Sequence, residues 1–294
     1  MISFKCIECT MNKADYLLEM FERDAEKRSR LREEVMNIVS GSPEDETSPN
    51  LNAKVMRFLK NRLGLGDIYY EVKKEYNSYL LTLEEEILSK IDHSEDRLLA
   101  ALKYAMTGNF IDFGAMNEVD EGDLRRLIER APYQDVDQSQ YAGFKEDMGK
   151  AREIVYLADN AGEIVFDKVF IKVIKETYPN VSITVVVRGM PVHNDATLED
   201  AEETGISSIA DIIQNGTDIP GTDLRQVNIE TREAVEKADL IISKGQGNFE
   251  TLFGSGKNIY YIFLCKCSLF AKRFKAARFV GIFINERNVE KIID

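Results

Sequence analysis

Near residue 147 the spacing of apolar residues changes, and this change constrains the fold more than any other feature of the chain. From Met11 to about Met106 apolar side chains recur at helical spacing, as in Tyr16, Leu17 and Met20, or Tyr79, Leu80, Leu83, Ile87 and Leu88, among many Glu, Lys and Arg. That pattern predicts an N-terminal α-helical bundle. "SGSPEDETSPN" (Ser40 to Asn50), rich in Ser, Pro, Asp and Glu, predicts a loop between helices. "HSEDRLLAALKYAMTG" predicts a helix capped by Ser94 and closed at Gly108. Beyond about residue 147 the runs "EIVYLA", "VSITVVV", "IADII", "DLIIS" and "IYYIFLC" alternate with helical stretches such as "ATLEDAEETG" and "NIETREAVEKA". Apolar strands interleaved with helices of this length predict an α/β fold, a doubly wound, mainly parallel sheet covered on both faces. The 294 residues suffice for two domains, and the change of period divides them into a mainly helical domain, 1–147, and an α/β domain, 148–294.

Composition narrows the function. A net charge of −13 argues against a protein that binds nucleic acid by neutralising phosphates. The opening "MISFKCIECTMNKADYLLEM" mixes charges with its apolar residues, and no run reaches the length needed to span a bilayer, so no membrane association is expected and the protein reads as cytoplasmic. Cys6 with Cys9 and Cys265 with Cys267 form two close pairs. Such pairs are compatible with a zinc or redox centre and equally with plain burial, since free Cys is among the most buried residue types.

In an open parallel sheet, ligands bind beyond the carboxyl ends of the strands. Here those ends carry Asp159, Asn160, Gly162 and Glu163; then Arg188, His193, Asn194 and Asp195 in "RGMPVHNDAT"; then Lys244, Gly245, Gln246, Gly247 and Asn248 in "SKGQGNFE"; and Lys266 in "FLCKCS". Asn109 and Asp112 in "GNFIDFG" are candidates either to reach the same edge from the helical half or only to form a capped turn. Carboxylate and amide oxygens suit a hard cation, while lysines and open backbone N–H groups suit phosphate. Each element also has a plainer reading: Asp159 as a helix cap, Asn194-Asp195 as a turn, and Gly245 to Gly247 as a turn needing positive φ. Their joint placement at strand ends favours the cation-and-anion reading, with Lys244 and Lys266 facing the anion.

Other chemistries fail on spacing. "TLFGSGKN" lacks the first Gly and final Ser or Thr of a phosphate-binding P-loop. No G-x-G-x-x-G follows the first strand of the α/β half, and no Gly-x-Ser-x-Gly elbow is present. With 2 His, a site built from three or more histidines is excluded.

"ADNAGEI", "RGMPVHNDAT" and "SKGQGNFE", in this order, resemble the motifs of the damage-control phosphatases, and "GNFIDFG" with "KCIEC" resembles the cysteine-bearing prokaryotic branch of that family. The resemblance implies a helical region packed on a Rossmann-like α/β domain. It implies that Asp159, Asn160 and Asp195 bind one divalent cation (Mn²⁺, Ni²⁺, Co²⁺ or Mg²⁺), that Glu163 lies next to the reacting phosphoryl group, that Gly245 to Asn248 hold the substrate, and that Lys266 pairs with its phosphate. Where the eukaryotic branch has Arg-Thr-x-Lys, this chain has "FLCK", so only the lysine carries over. The implied activity is metal-dependent hydrolysis of small phosphate esters, such as sugar phosphates or damaged phosphometabolites, with Asp159 or a metal-bound water as nucleophile. Two other functions fit a domain of this kind: a carboxyl methyltransferase using S-adenosylmethionine, and a non-catalytic metabolite-binding protein.

Overall fold

The computed structural model describes residues 2–110 and 121–290. Its first half is helical: α1 (Phe4–Phe21), α2 (Ala25–Ser40), α3 (Ser48–Leu63), α4 (Tyr70–Leu81), α5 (Glu84–Asp92), α6 (Arg97–Gly108), α7 (Glu121–Arg130) and α8 (Gln138–Lys150). Side chains define the ends. Asp24 accepts the N–H groups of Glu26 and Lys27 to open α2, and Thr47 accepts that of Asn50 to open α3. The predicted loop is therefore shorter than its composition suggests, because its last three residues, Ser48, Pro49 and Asn50, already form the first turn of α3. Asp96, not Ser94, caps α6, accepting from Leu99 N at 3.0 Å. The Ser94 hydroxyl turns back instead to the Ile91 carbonyl at the end of α5 (2.6 Å), satisfying one of the acceptors that a helix end leaves over.

The second half alternates: β1 (Glu153–Leu157), α9 (Glu163–Thr177), β2 (Ser182–Val187), α10 (Leu198–Glu203), β3 (Asp211–Gln214), α11 (Ile229–Lys237), β4 (Leu240–Lys244), α12 (Gln246–Leu252), β5 (Ile259–Leu264), α13 (Ser268–Arg273) and β6 (Gly281–Asn285). The sheet order is β3-β2-β1-β4-β5-β6. The first five strands are parallel, as their alternation with helices predicts, and the fold is the expected α/β doubly wound one. β6 was not anticipated from the sequence; it pairs antiparallel with β5 at the edge.

The pleat sorts the strand residues between two cores. Ile154, Tyr156, Val185, Ile242 and Tyr260 face a layer that includes Tyr76, Ile87, Leu102, Phe144 and Phe170 from α4, α5, α6, α8 and α9. Val155, Leu157, Val186, Ile241 and Tyr261 face Val235, Phe249, Leu252 and Phe270 from α11, α12 and α13. Burial on both sides is why the strands read as continuous apolar runs. A division at residue 147 marks the change of period but runs through one shared core. The helices with a core of their own are α1–α3, packed through Ala14, Leu17, Leu31, Val35, Leu51, Val55 and Leu59. Polar ties fasten this unit to the α/β layer: Asn50 Nδ2 to Asp223 Oδ2 (2.6 Å), Arg57 to Asp218, and Lys60 Nζ to the Pro191 carbonyl (2.9 Å).

Candidate active site

The strand order reverses about β1, which opens a crevice beyond the carboxyl ends of β1 and β4. There the chain leaving β1 and the chain leaving β2 run antiparallel and exchange backbone bonds. Ala161 N donates to Asn194 O (2.8 Å) and Ala196 N to Asp159 O (2.8 Å), around an Asn160–Asp195 bridge. Asp159, Asn160 and Asp195 are thereby brought side by side. They line a cleft of about 270 Å³ together with Asn109, His193, Asn194, Gln246, Gly247, Glu250 and Lys266, while Cys6, Cys9, Thr10 and Lys13 of α1 and Ser48, Pro49 and Asn52 of α3 complete its far wall.

Carboxylates crowd this spot. Burial, then the charges of Glu163 and Asp195, push the Asp159 carboxyl up to about 7, against the pull of Arg188 and Lys266. Burial likewise raises Asp195, opposed by Arg188, whose Nε lies 2.6 Å from Asp195 Oδ2. Both donor hydrogens of Asn160 Nδ2 go to carboxylates, Asp159 Oδ2 (2.8 Å) and Glu163 Oε2 (2.9 Å), which leaves its amide oxygen for another partner. Asn109 Nδ2 adds bonds to Asp159 Oδ2 (3.0 Å) and Glu163 Oε2 (2.9 Å), and its oxygen is fixed by Leu264 N (2.8 Å). Among the described residues no three His, Cys, Asp or Glu side chains form a ready-made cation cage. The oxygens on offer are two crowded carboxylates and one amide, a donor set that fits a single hard divalent cation completed by non-protein ligands.

The remaining sequence-predicted residues divide. Lys266 and Gln246 line the cleft, with Gln246 Oε1 accepting from Lys266 N (3.1 Å). Gly247 lines it too, and a Cβ there would lie 1.8 Å from the Pro220 carbonyl oxygen. Gly245 has φ +80°, and a Cβ would lie 2.2 Å from the Asp159 carboxylate, so only glycine allows β4 to end against Asp159. Three expectations need correction. Lys244 does not face an anion in the cleft: it is completely buried, 2.6 Å from Glu163 Oε1 and 2.5 Å from Asp167 Oδ1, and donates to the Ala105 carbonyl. As the last residue of β4 it shares the face of Leu240 and Ile242, so the pleat aims it under α6 and α9. Asn248 does not line the cleft either. Its side chain is buried and ties Ala158 O and Lys244 O to Thr222 and Arg188. Glu163, expected next to the reacting phosphoryl group, does not line the cleft: it is fully buried, one layer beneath Asn160.

Arg188, whose place in "RGMPVHNDAT" carries no signal of a role, is the centre of this second layer. It reaches Asp195, Gly221 O (3.0 Å) and Asn248 Oδ1 (3.2 Å), and its Nη2 lies 3.7 Å from Asp159 Oδ1. Cys6, Cys9, Thr10 and Lys13 follow helical spacing on one face of α1, a periodicity that would have marked them as a wall. The four cysteines are free thiols; Cys265 is buried, and Cys9 and Cys267 are exposed. Asp112 lies outside the described residues. No helix among those described is long and apolar enough to cross a membrane.

This chain is similar to known proteins along nearly its whole length. It is 29% identical to a damage-control phosphatase of Pyrococcus horikoshii, covering 99% of each chain, and 32% identical to a damage-control phosphatase of Archaeoglobus fulgidus, covering 100% of this chain and 99% of the relative. The crystal structure of a DUF89 family protein from Pyrococcus horikoshii matches with a TM-score of 0.85 at 28% identity, over 97% of this chain and 98% of that one. A family model for the damage-control phosphatase ARMT1-like domain spans residues 2–279, and the chain belongs to that family.

Proposed function

We propose that this protein is a divalent-cation-dependent phosphatase of small phosphate esters, sugar phosphates or damaged phosphometabolites, with a role in metabolite damage control. The observation that carries the reading is the stitching of Asp159, Asn160 and Asp195 into one edge of a cleft that Lys266 also lines. The family names of the archaeal relatives support it.

The two carboxylates and the Asn160 amide oxygen would hold the cation, of which Mn²⁺, Ni²⁺, Co²⁺ and Mg²⁺ all suit an oxygen donor set. When bound, such a cation neutralises charge on the phosphoryl oxygens and lowers the pKa of a water. The protein's own residues position the substrate. Lys266 pairs with the phosphate, and the turn from Gly245 through Gly247 keeps side chains out of the space the phosphoryl group needs. Asn109 and Asn160 fix Asp159 Oδ2, so the carboxylate meets the substrate in one orientation. Glu163, held by Lys244, acts from beneath as the acceptor that orients both amides.

The test is to strip the purified protein of metal and assay a phosphometabolite panel with each divalent cation restored in turn. Release of phosphate only with a cation is expected; no stimulation by any of them would overturn the reading. Trapping a phosphoenzyme would assign the nucleophile to Asp159, and its absence under rapid turnover would assign it to water.

A further inference from the structure

The peptide between Asn160 and Glu163 is held in an uncommon shape. Gly162 has φ 73° and ψ −56°, and Glu163 N donates to Ala161 O at 2.8 Å. These are the angles and the bond of a γ-turn of the rare, strained hand, reached readily only by glycine. Such a conformation persists where its surroundings over-determine it. The Gly162 N–H donates to Asn77 Oδ1 at 2.6 Å, and Asn77 belongs to α4, far from the strand ends in sequence.

Asn77 is completely buried, and its other end is also engaged. Nδ2 donates to Asp200 Oδ1 (3.0 Å), while Asp200 Oδ2 accepts from Thr197 N (2.9 Å), Thr197 Oγ1 (2.8 Å) and Lys73 Nζ (2.9 Å). Lys73, also on α4, reaches the Asp195 carbonyl at 3.4 Å. One amide thus connects the turn that follows Asn160 to the loop that carries Asp195. A Gly162 N–H without an acceptor would be a buried orphan donor, and relaxing the turn to satisfy it would rotate Asn160 relative to Asp195.

We propose that Asn77 is a positioning residue for cation binding: by clamping the Gly162 turn to Asp200, it holds Asn160 and Asp195 at the separation one cation needs. The inference rests on the cation-site reading above and extends it to α4. Removing outer partners of metal ligands typically weakens binding about tenfold to a hundredfold.

The experiment is a Mn²⁺ titration of the metal-stripped full-length protein, read by the electron paramagnetic resonance signal of free Mn²⁺ and without substrate. Asn77→Ala is expected to weaken Mn²⁺ binding by about tenfold or more. The double exchange of Asn77→Asp with Asp200→Asn keeps an acceptor for Gly162 and a donor between the two side chains, so it should return affinity toward wild type. A folded Asn77→Ala protein with wild-type affinity would overturn the proposal, as would an exchange variant that folds normally yet binds as weakly as Asn77→Ala. Should Asn77→Ala not fold, Asn77→Asp alone replaces it: like charge facing Asp200 opens the clamp, and unchanged affinity there would equally overturn it. A wild-type protein that binds no divalent cation would instead sink the functional reading.

Discussion

Lys244 and Lys266 end neighbouring strands, and their environments assign them opposite roles. Lys244 sits in a dry pocket between Glu163 and Asp167, where its loss strands two carboxylates. Lys244→Met should therefore destabilise the fold by about 3–5 kcal/mol, measured by urea denaturation. Lys266 is half-buried on the cleft wall. Lys266→Met should leave the denaturation midpoint unchanged and raise KM for a phosphate ester by about tenfold to a hundredfold, the range for losing a charged hydrogen bond. The reverse pattern would refute the placement of both. Sequence spacing revealed that each lysine ends a strand, but only the pleat and the approach of Asp167 from α9 decide which one is buried. Asp159, Asn160 and Asp195 were legible because the rule that places ligands at strand ends needs only local order. Arg188 as a hub and Asn77 as a clamp were not, since each acts on groups that the fold alone brings near.

At the scale of elements, β-branched runs between helices declared β1 to β5, while β6 returns antiparallel at an edge and stands outside that alternation of parallel strand and helix. Helix ends were the least legible feature, because Ser94 and Asp96 are both competent caps and the choice depends on which helix end each can reach. The contact between α3 and the loop before α11 was invisible in sequence and carries a pH signature. Burial alone would raise Asp223, but bonds from Arg225 and Asn50 outweigh it and hold the carboxyl down at about 2. The unfolded chain binds that proton more readily, so the stabilisation is complete above the ordinary Asp range and disappears as pH falls from about 4 to about 2. Asn50→Ala should flatten the loss of stability across that window by about 1 kcal/mol, seen as a smaller drop in Tm from pH 5 to pH 2.5. An identical pH profile would show that Arg225 alone sustains the shift.

Across the whole molecule, the cleft lies between two bodies of unequal attachment. Its floor belongs to the sheet, whose strands share cores with helices on both faces. Its far wall belongs to α1–α3, which pack mainly on one another and meet the sheet layer through polar ties such as Asn50–Asp223 and His193 Nε2–Asn52 Oδ1 (2.6 Å). Polar contacts of that kind offer less resistance to local opening than a shared apolar core. Amides of α1 and α3 should therefore exchange with deuterium faster than those of β1, β2 and β4 in the ligand-free protein. Asp159 and Lys266 line the cleft from one body and Lys13 and Asn52 from the other, so a cation with inorganic phosphate that spans it would meet both. Ligand stabilises only the state in which its contacts exist, so opening of the α1–α3 unit becomes costlier as the free ligand concentration rises above Kd. Adding Mn²⁺ and phosphate together should slow exchange in α1 and α3 more than in the strands. Protection confined to the strand ends would mean that the far wall takes no part in binding.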